Sequence, residues 1–100
     1  MNFHSGYQNN IMRIEFTFPC FGSLRTVATD NAQFGDAVIF FGWFITETAM
    51  NIAVEGYKVK MDEVIRLVVI DDEGNDITTQ VADFYAKASA DIQEEHSHAS

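Results

Sequence analysis

The longest hydrophobic pattern in the chain runs from Asp30 to Gly56 and has a helical period. Asp30 and Gln33 have the spacing of a reciprocal capping box, and Gly56 supplies a residue that accepts the left-handed conformation at a helix end. The pattern predicts one long helix over Asp30–Glu55. Its apolar positions recur at steps of three and four residues and are Phe34, Val38, Phe41, Ile45, Ala49 and Ile52, with Ala37 and Phe44 beside them.

A second interpretation stays open for the middle of this stretch. The segment Val38–Ile45 is rich in β-branched and aromatic residues, as a buried strand is. The helix is favoured because the stretch continues without a turn dipeptide far beyond the length of an ordinary strand. Gly42, inside the helical pattern, indicates a close crossing with another element.

Before the long helix, the pattern predicts two strands. Apolar and polar side chains alternate from Met12 to Phe18, which is typical of a half-buried strand. Pro19 ends this strand because proline has no N–H for the ladder. A short turn then leads to a weaker strand over Leu24–Thr29, antiparallel to the first.

After the long helix, the pattern predicts a further strand and a second helix. Val64–Ile70 is nearly all β-branched, as an interior strand is, and Tyr57–Lys60 is either a short edge strand or a linker. A polar turn precedes a helix that begins at Thr78 or Thr79, either of which is a fair N-cap, and ends at Glu95. The buried stripe of this helix consists of Ile77, Val81, Phe84, Ala88 and Ile92.

These elements predict a single α+β domain with the order β-β-α-β-α. Two helices would pack on a small antiparallel or mixed sheet. Residues 1–10 are expected to form a polar N-terminal arm, residues 11–95 the domain and residues 96–100 a disordered tail. The side chains expected in the core include Phe16, Phe41, Phe44, Ile45, Val68 and Phe84.

Composition and charge narrow the classes of function. The 100 residues are 47% hydrophobic, which is typical of a globular domain. No apolar run reaches the roughly 18 residues of a membrane span, and the N-terminus lacks a signal pattern, so we expect a cytoplasmic protein without membrane attachment. The formal charge of −9 disfavours direct binding to nucleic acid. This charge serves solubility or, alternatively, fits the basic surface of a protein partner.

No group of residues carries recognisable catalytic or metal chemistry. The histidines, His4, His96 and His98, all fall in the predicted ends of the chain. Cys20, the single cysteine, has neither a disulfide partner nor a nearby base in sequence. The run Asp71–Asp76 lacks the first and last ligands of a calcium-binding loop. We therefore expect neither an enzyme nor a metal or other cofactor.

The candidate partner-binding residues lie on two predicted surfaces. The second side of the long helix is also apolar, and tryptophan and methionine are typical interface anchors; its candidates are Ile39, Phe40, Trp43, Glu47 and Met50. The last helix carries acids on one face, some at the carbonyl end where the helix dipole disfavours them; its candidates are Asp83, Asp91 and Glu94. The alternatives are that another element covers the stripe and that the acids form an ordinary solvated face.

These features favour a non-enzymatic interaction protein that binds and inhibits or regulates a protein partner, for example one with a basic nucleic-acid-binding surface. In size, acidity and exposed aromatic content the chain is similar in kind to the small anti-defence inhibitors and nucleic-acid mimics of phages and mobile elements. The alternative from a different class is a structural module that forms a homodimer through the long helix. A small enzyme of unknown chemistry comes third.

Overall fold

The computed structural model describes the backbone of residues 11–99 and the side chains of residues 11–90. The elements are β1 (Met12–Cys20), β2 (Ser23–Ala32), α1 (Phe34–Thr46), β3 (Asn51–Val54), β4 (Tyr57–Lys60), a short 3-10 helix (Met61–Glu63), β5 (Arg66–Ile70) and α2 (Thr78–Ala99). They form the small α+β domain that the sequence predicts. The proposed arm of residues 1–10 lies outside the described residues, and the division into domain and tail stays a prediction.

Strand β1 is the centre of a three-stranded antiparallel sheet with the order β2-β1-β5. Its alternating pattern puts one row of side chains in the core, and Phe16 is paired with Val27 on one side and Leu67 on the other. All three are buried. The strands β3 and β4 form a separate two-stranded hairpin. Tyr57–Lys60 is therefore a strand rather than a linker.

The opposite face of the sheet carries the polar side chains of β1. Arg13 on β1 lies 3.1 Å from the carboxylate of Glu15 and 2.8 Å from that of Asp30 on β2. Thr17 and Thr26 share a hydrogen bond across the same strands. The domain therefore has two layers, with its core between one sheet face and the helices.

The long helix predicted over Asp30–Glu55 is wrong at its start. Strand β2 continues through Ala32, so Asp30 lies in a strand. The capping box begins three residues later, where the N–H of Gln33 donates to the carboxylate of Asp36 at 3.2 Å. The predicted pair Asp30–Gln33 and the observed pair Gln33–Asp36 have the same sequence spacing. Only the pairing of β2 with β1 therefore shows which of them is the capping box.

The predicted helix is also wrong at its end, although Val38–Ile45 is helical as favoured. Helix α1 stops at Thr46, and Glu47 follows in the left-handed conformation with φ 53°. Residues Asn51–Val54 form β3, joined to β4 by a two-residue turn. Ile52 continues the helical stripe in sequence, but β-branched residues followed by a turn with glycine equally suit a hairpin.

The predicted core is partly correct. Phe16 and Phe41 are buried, whereas Phe44 and Val68 are only half-buried. Val68 is opposite Glu15 and so belongs to the polar face of the sheet. Two core predictions are wrong: Ile45 and Phe84 are 52% and 53% exposed. Ile45 lies in the last turn of α1, where the predicted further turns of helix are absent, and Phe84 packs edge-on against Phe34 with ring centroids 5.3 Å apart.

Helix α2 is tied to the sheet at its first residue. The hydroxyl of Thr78 accepts the N–H of Val69 at 2.9 Å and donates to the carboxylate of Asp76 at 2.7 Å. The same carboxylate accepts the N–H of Thr78. Thr78 therefore begins α2 rather than capping it, and Asp76 satisfies a backbone donor at the helix start. The strand β5 starts at Arg66, two residues later than predicted.

Candidate protein-binding groove

Helices α1 and α2 cross at Gly42 and leave an open groove on one side of the crossing. A β-carbon built on Gly42 would lie 2.8 Å from Cε1 of Tyr85, so a larger residue at this position would force the tyrosine ring to move. This confirms the close crossing predicted at Gly42. The groove has a volume of about 320 Å³ and is lined by Val38, Ile39, Gly42, Trp43, Thr46 and Tyr85. We call it the α1–α2 groove.

Ile39 is the exposed apolar member of this groove. It is 51% exposed, although α1 buries Ala37 and Phe41 on its other side. Ile39 and Phe41 are two residues apart and therefore lie roughly 160° apart around the helix axis. Helix α2 and the 3-10 helix Met61–Glu63 both pack against α1, and the side chain of Ile39 remains half exposed beside them.

Two of the predicted aromatic anchors have different positions. The rings of Phe16 and Phe40 are 5.9 Å apart, and those of Phe40 and Trp43 are 5.6 Å apart. Phe40 thus supports the groove from the core side and does not line it. Trp43 lines the groove while its ring rests on Phe40, so truncating Trp43 would disturb both the groove and the core.

Thr46 is the polar side chain in the wall of the groove, and its hydroxyl already has hydrogen-bond partners within the chain. The hydroxyl of Thr46 donates to the carbonyl of Gly42 at 2.8 Å and shares a hydrogen bond with Thr48. The remaining lining side chains are aliphatic or aromatic. The groove therefore offers mainly apolar contact, which favours an apolar occupant.

The border of the groove on α1 is acidic. Asp36 lies one turn before Ile39, and the exposed Glu47 follows Thr46 at the helix end. No lysine or arginine occurs between Arg25 and Lys58. In the described part of the chain, the carboxylate of Glu47 takes part in no hydrogen bond or ion pair. This charge remains available to a partner.

The other predicted binding residues do not join this groove. Met50 lies in the loop before β3 and does not line the groove. Asp83 and Tyr85 are two residues apart on α2 and so lie on nearly opposite sides of that helix. Asp83 instead lines a second shallow groove with Phe34, Gln80, Phe84 and Lys87. The side chains of Asp91 and Glu94 lie outside the described part of the structure.

Sequence reasoning missed Tyr85 as a binding residue. Tyr85 is a half-buried residue of α2, and the side of α1 that it meets depends on how the two helices cross. The glycine at position 42 was the available signal for that crossing. A rule that pairs an interior glycine with an aromatic residue on the neighbouring helix would have found it.

The described residues contain no group of three His, Cys, Asp or Glu side chains arranged to hold a metal ion. Cys20 is a half-exposed free thiol. None of the helices within the described range is long and apolar enough to cross a membrane. Comparison with known proteins finds no matching family model, no matching curated protein and no matching solved structure.

Proposed function

We propose that this protein is a binding module without catalytic activity of its own, and that its α1–α2 groove docks an apolar element of a protein partner. The observation that carries this proposal is the exposure of Ile39 beside Trp43 and Tyr85. An apolar groove of about 320 Å³ with few polar groups is a usual candidate for a binding site. Tryptophan and tyrosine are also enriched among the residues that dominate binding energy.

The charge of the molecule supports a basic partner. The formal charge is −9, and the acids Asp36 and Glu47 border the groove. Complementary charge across an interface raises the association rate and disfavours wrong partners. A protein whose basic surface otherwise holds nucleic acid fits this description, and occupying that surface would inhibit or regulate it. The expected cytoplasmic location is compatible with such a partner.

The chain offers a matched pair of positions for testing the groove. Ile39 and Ile45 are the same residue type on the same helix and are 51% and 52% exposed, but only Ile39 lines the groove. A photo-cross-linking amino acid at position 39, introduced in the cell that makes the protein, should capture a partner. The same amino acid at position 45 should capture far less of it. Equal capture from the two positions would contradict the proposal.

A further inference from the structure

The turn between β1 and β2 presents an aromatic side chain that the fold does not use. Cys20 is paired with Ser23, so Phe21 and Gly22 form a two-residue turn, with φ 51° and 82°. Both values are positive, as in the hairpin turn that favours Asn-Gly. A bulky residue is rare in this conformation. Phe21 is also fully exposed, so neither backbone preference nor core packing explains it.

A second turn of the same shape shows what such a residue does when the fold uses it. Glu55 and Gly56 join β3 to β4 with φ 52° and 81°. The carboxylate of Glu55 accepts the N–H of Ala28 at 2.6 Å and so holds the hairpin against the edge of β2. Phe21 makes no comparable contact among the described residues. Its side chain is therefore available for a contact outside the fold.

The residues that flank Phe21 in sequence include no acid. Leu24 is largely exposed beside the turn. Arg25 lies over the ring of Tyr57, with its guanidinium carbon 4.9 Å from the ring centroid. No aspartate or glutamate occurs between Glu15 and Asp30, in contrast to the acidic remainder of the chain. We call Phe21, Gly22, Leu24 and Arg25 the β1–β2 tip.

The tip and the α1–α2 groove are complementary. The tip is apolar with a cation at its base, and the groove is apolar with the acids Asp36 and Glu47 at its border. We infer that the tip of one copy docks in the groove of a second copy, with Phe21 against Ile39 and Trp43. This inference rests on the proposed function, because it requires the groove to be a docking surface. It names a second copy of this chain as one occupant.

The contact has a defined symmetry. The tip and the groove share no residue, so each copy that uses one of them still has the other free. Such head-to-tail contacts produce an open chain or a closed ring. The tip is small, and the association is therefore weak and strongly dependent on protein concentration. A foreign partner that needs the groove has to displace the tip.

Sedimentation of the purified full chain over a concentration series tests the inference. The mean mass of the wild type should rise above that of the monomer as concentration increases. Phe21→Asn removes the anchor and keeps the turn, because asparagine suits this position. Ile39→Gln weakens the groove. Each variant alone should associate at least tenfold more weakly than the wild type, and Ile45→Gln should associate like the wild type.

Mixing the two weakened variants separates this contact from any other. Phe21→Asn retains an intact groove and Ile39→Gln retains an intact tip, so an equimolar mixture should form a one-to-one dimer that does not grow further. A wild type that stays monomeric at millimolar concentration would overturn the inference. Unchanged association of Phe21→Asn, or a mixture that stays monomeric, would also overturn it.

The proposed function is judged by a different result. Phe21→Asn leaves the groove intact, so cross-linking from position 39 to a foreign partner should be retained or increased in this variant. If Phe21→Asn still captures the partner but has no effect on self-association, the inference fails and the proposed function stands. If position 39 captures nothing beyond its control, the proposed function fails.

Discussion

Gly42 and Tyr85 meet so closely that a β-carbon on Gly42 would lie 2.8 Å from Cε1 of the tyrosine. The ring of Tyr85 also packs edge-on against Phe41, with centroids 5.9 Å apart. Phe41 is buried and limits the movement of that ring. This contact sets the distance between α1 and α2 and so the shape of the groove that they form.

Gly42→Ala is expected to destabilise the fold by about 1–3 kcal/mol, which is typical of overpacking. This sign is opposite to helix propensity, which favours alanine by about 1 kcal/mol. The matched control is Gly35→Ala in the same helix, where nothing lies within 4 Å of the added carbon. That variant should be stabilised by up to about 1 kcal/mol. Urea unfolding of both variants provides the test, and stabilisation in both would contradict the close crossing.

The unequal burial along α1 predicts unequal effects of truncation. Phe41→Ala should cost about 3–5 kcal/mol, because it leaves a cavity in the core. Ile45→Ala should cost less than about 1 kcal/mol, because Ile45 is half exposed and a surface change is usually small. Chemical denaturation of the two variants measures the difference. Similar losses would show that the core face of α1 is misplaced.

Glu55 is expected to stabilise the attachment of the β3–β4 hairpin to β2. Its carboxylate accepts the N–H of Ala28 at 2.6 Å, and a hydrogen bond to a charged group contributes about 1.5–3 kcal/mol. Because the contact is only part-buried, Glu55→Ala should lower the free energy of unfolding by about 1.5–2 kcal/mol, the lower part of this range, whereas Glu55→Gln, which keeps an acceptor, should lose less. Hydrogen exchange at the Ala28 amide should accelerate in Glu55→Ala. Unchanged exchange there would contradict the contact.

Two aspartates should make stability fall in acid. The backbone N–H of Asn75 lowers the pKa of Asp71, and the hydroxyl and N–H of Thr78 lower the pKa of Asp76. Because each folded-state pKa lies below the unfolded value of about 3.9, the stabilisation is complete above that pH. It is lost as the pH falls through the lowered pKa.

The urea midpoint of the wild type should accordingly decrease from about pH 4 downward. The decrease should be smaller in an Asp71→Asn, Asp76→Asn double variant, which has already lost these contributions at neutral pH. Asp72→Asn is the control, because Asp72 lies beside Asp71 and its carboxylate takes part in no hydrogen bond within the described residues. An acid slope that is the same in the double variant and the control would contradict the assignment.

The sequence predicted those features that depend on local patterns. The alternation of β1 is correct because it follows from neighbouring residues in one strand. The close crossing at Gly42 is correct because a glycine inside a helical pattern indicates such a contact, although it does not specify the partner. The end of α1 was missed because Ile52 is in phase with both a helical stripe and a strand, and its partner Val59 is known only from the fold.

The candidate site was predicted only in part for a similar reason. Ile39 and Trp43 followed from the second apolar side of α1. Tyr85 lines the groove because α1 and α2 cross beside it. The periodicity within one helix cannot predict which residues of a second helix lie at such a crossing. Asp83 was predicted on a separate acidic face of the last helix, and it lines a second groove beside Phe34 and Lys87.

The most direct test of the groove is the affinity of the partner captured at position 39 for three folded proteins. These are the wild type, Ile39→Gln and Ile45→Gln. Trp43 is left unchanged because its ring packs on Phe40 and its truncation would also disturb the core. Ile39→Gln should raise the dissociation constant at least about tenfold, a loss of about 1.4 kcal/mol. Ile45→Gln should leave the constant within about twofold of the wild type, as expected outside an energetic centre. Equal dissociation constants for wild type and Ile39→Gln would show that the groove does not bind the partner.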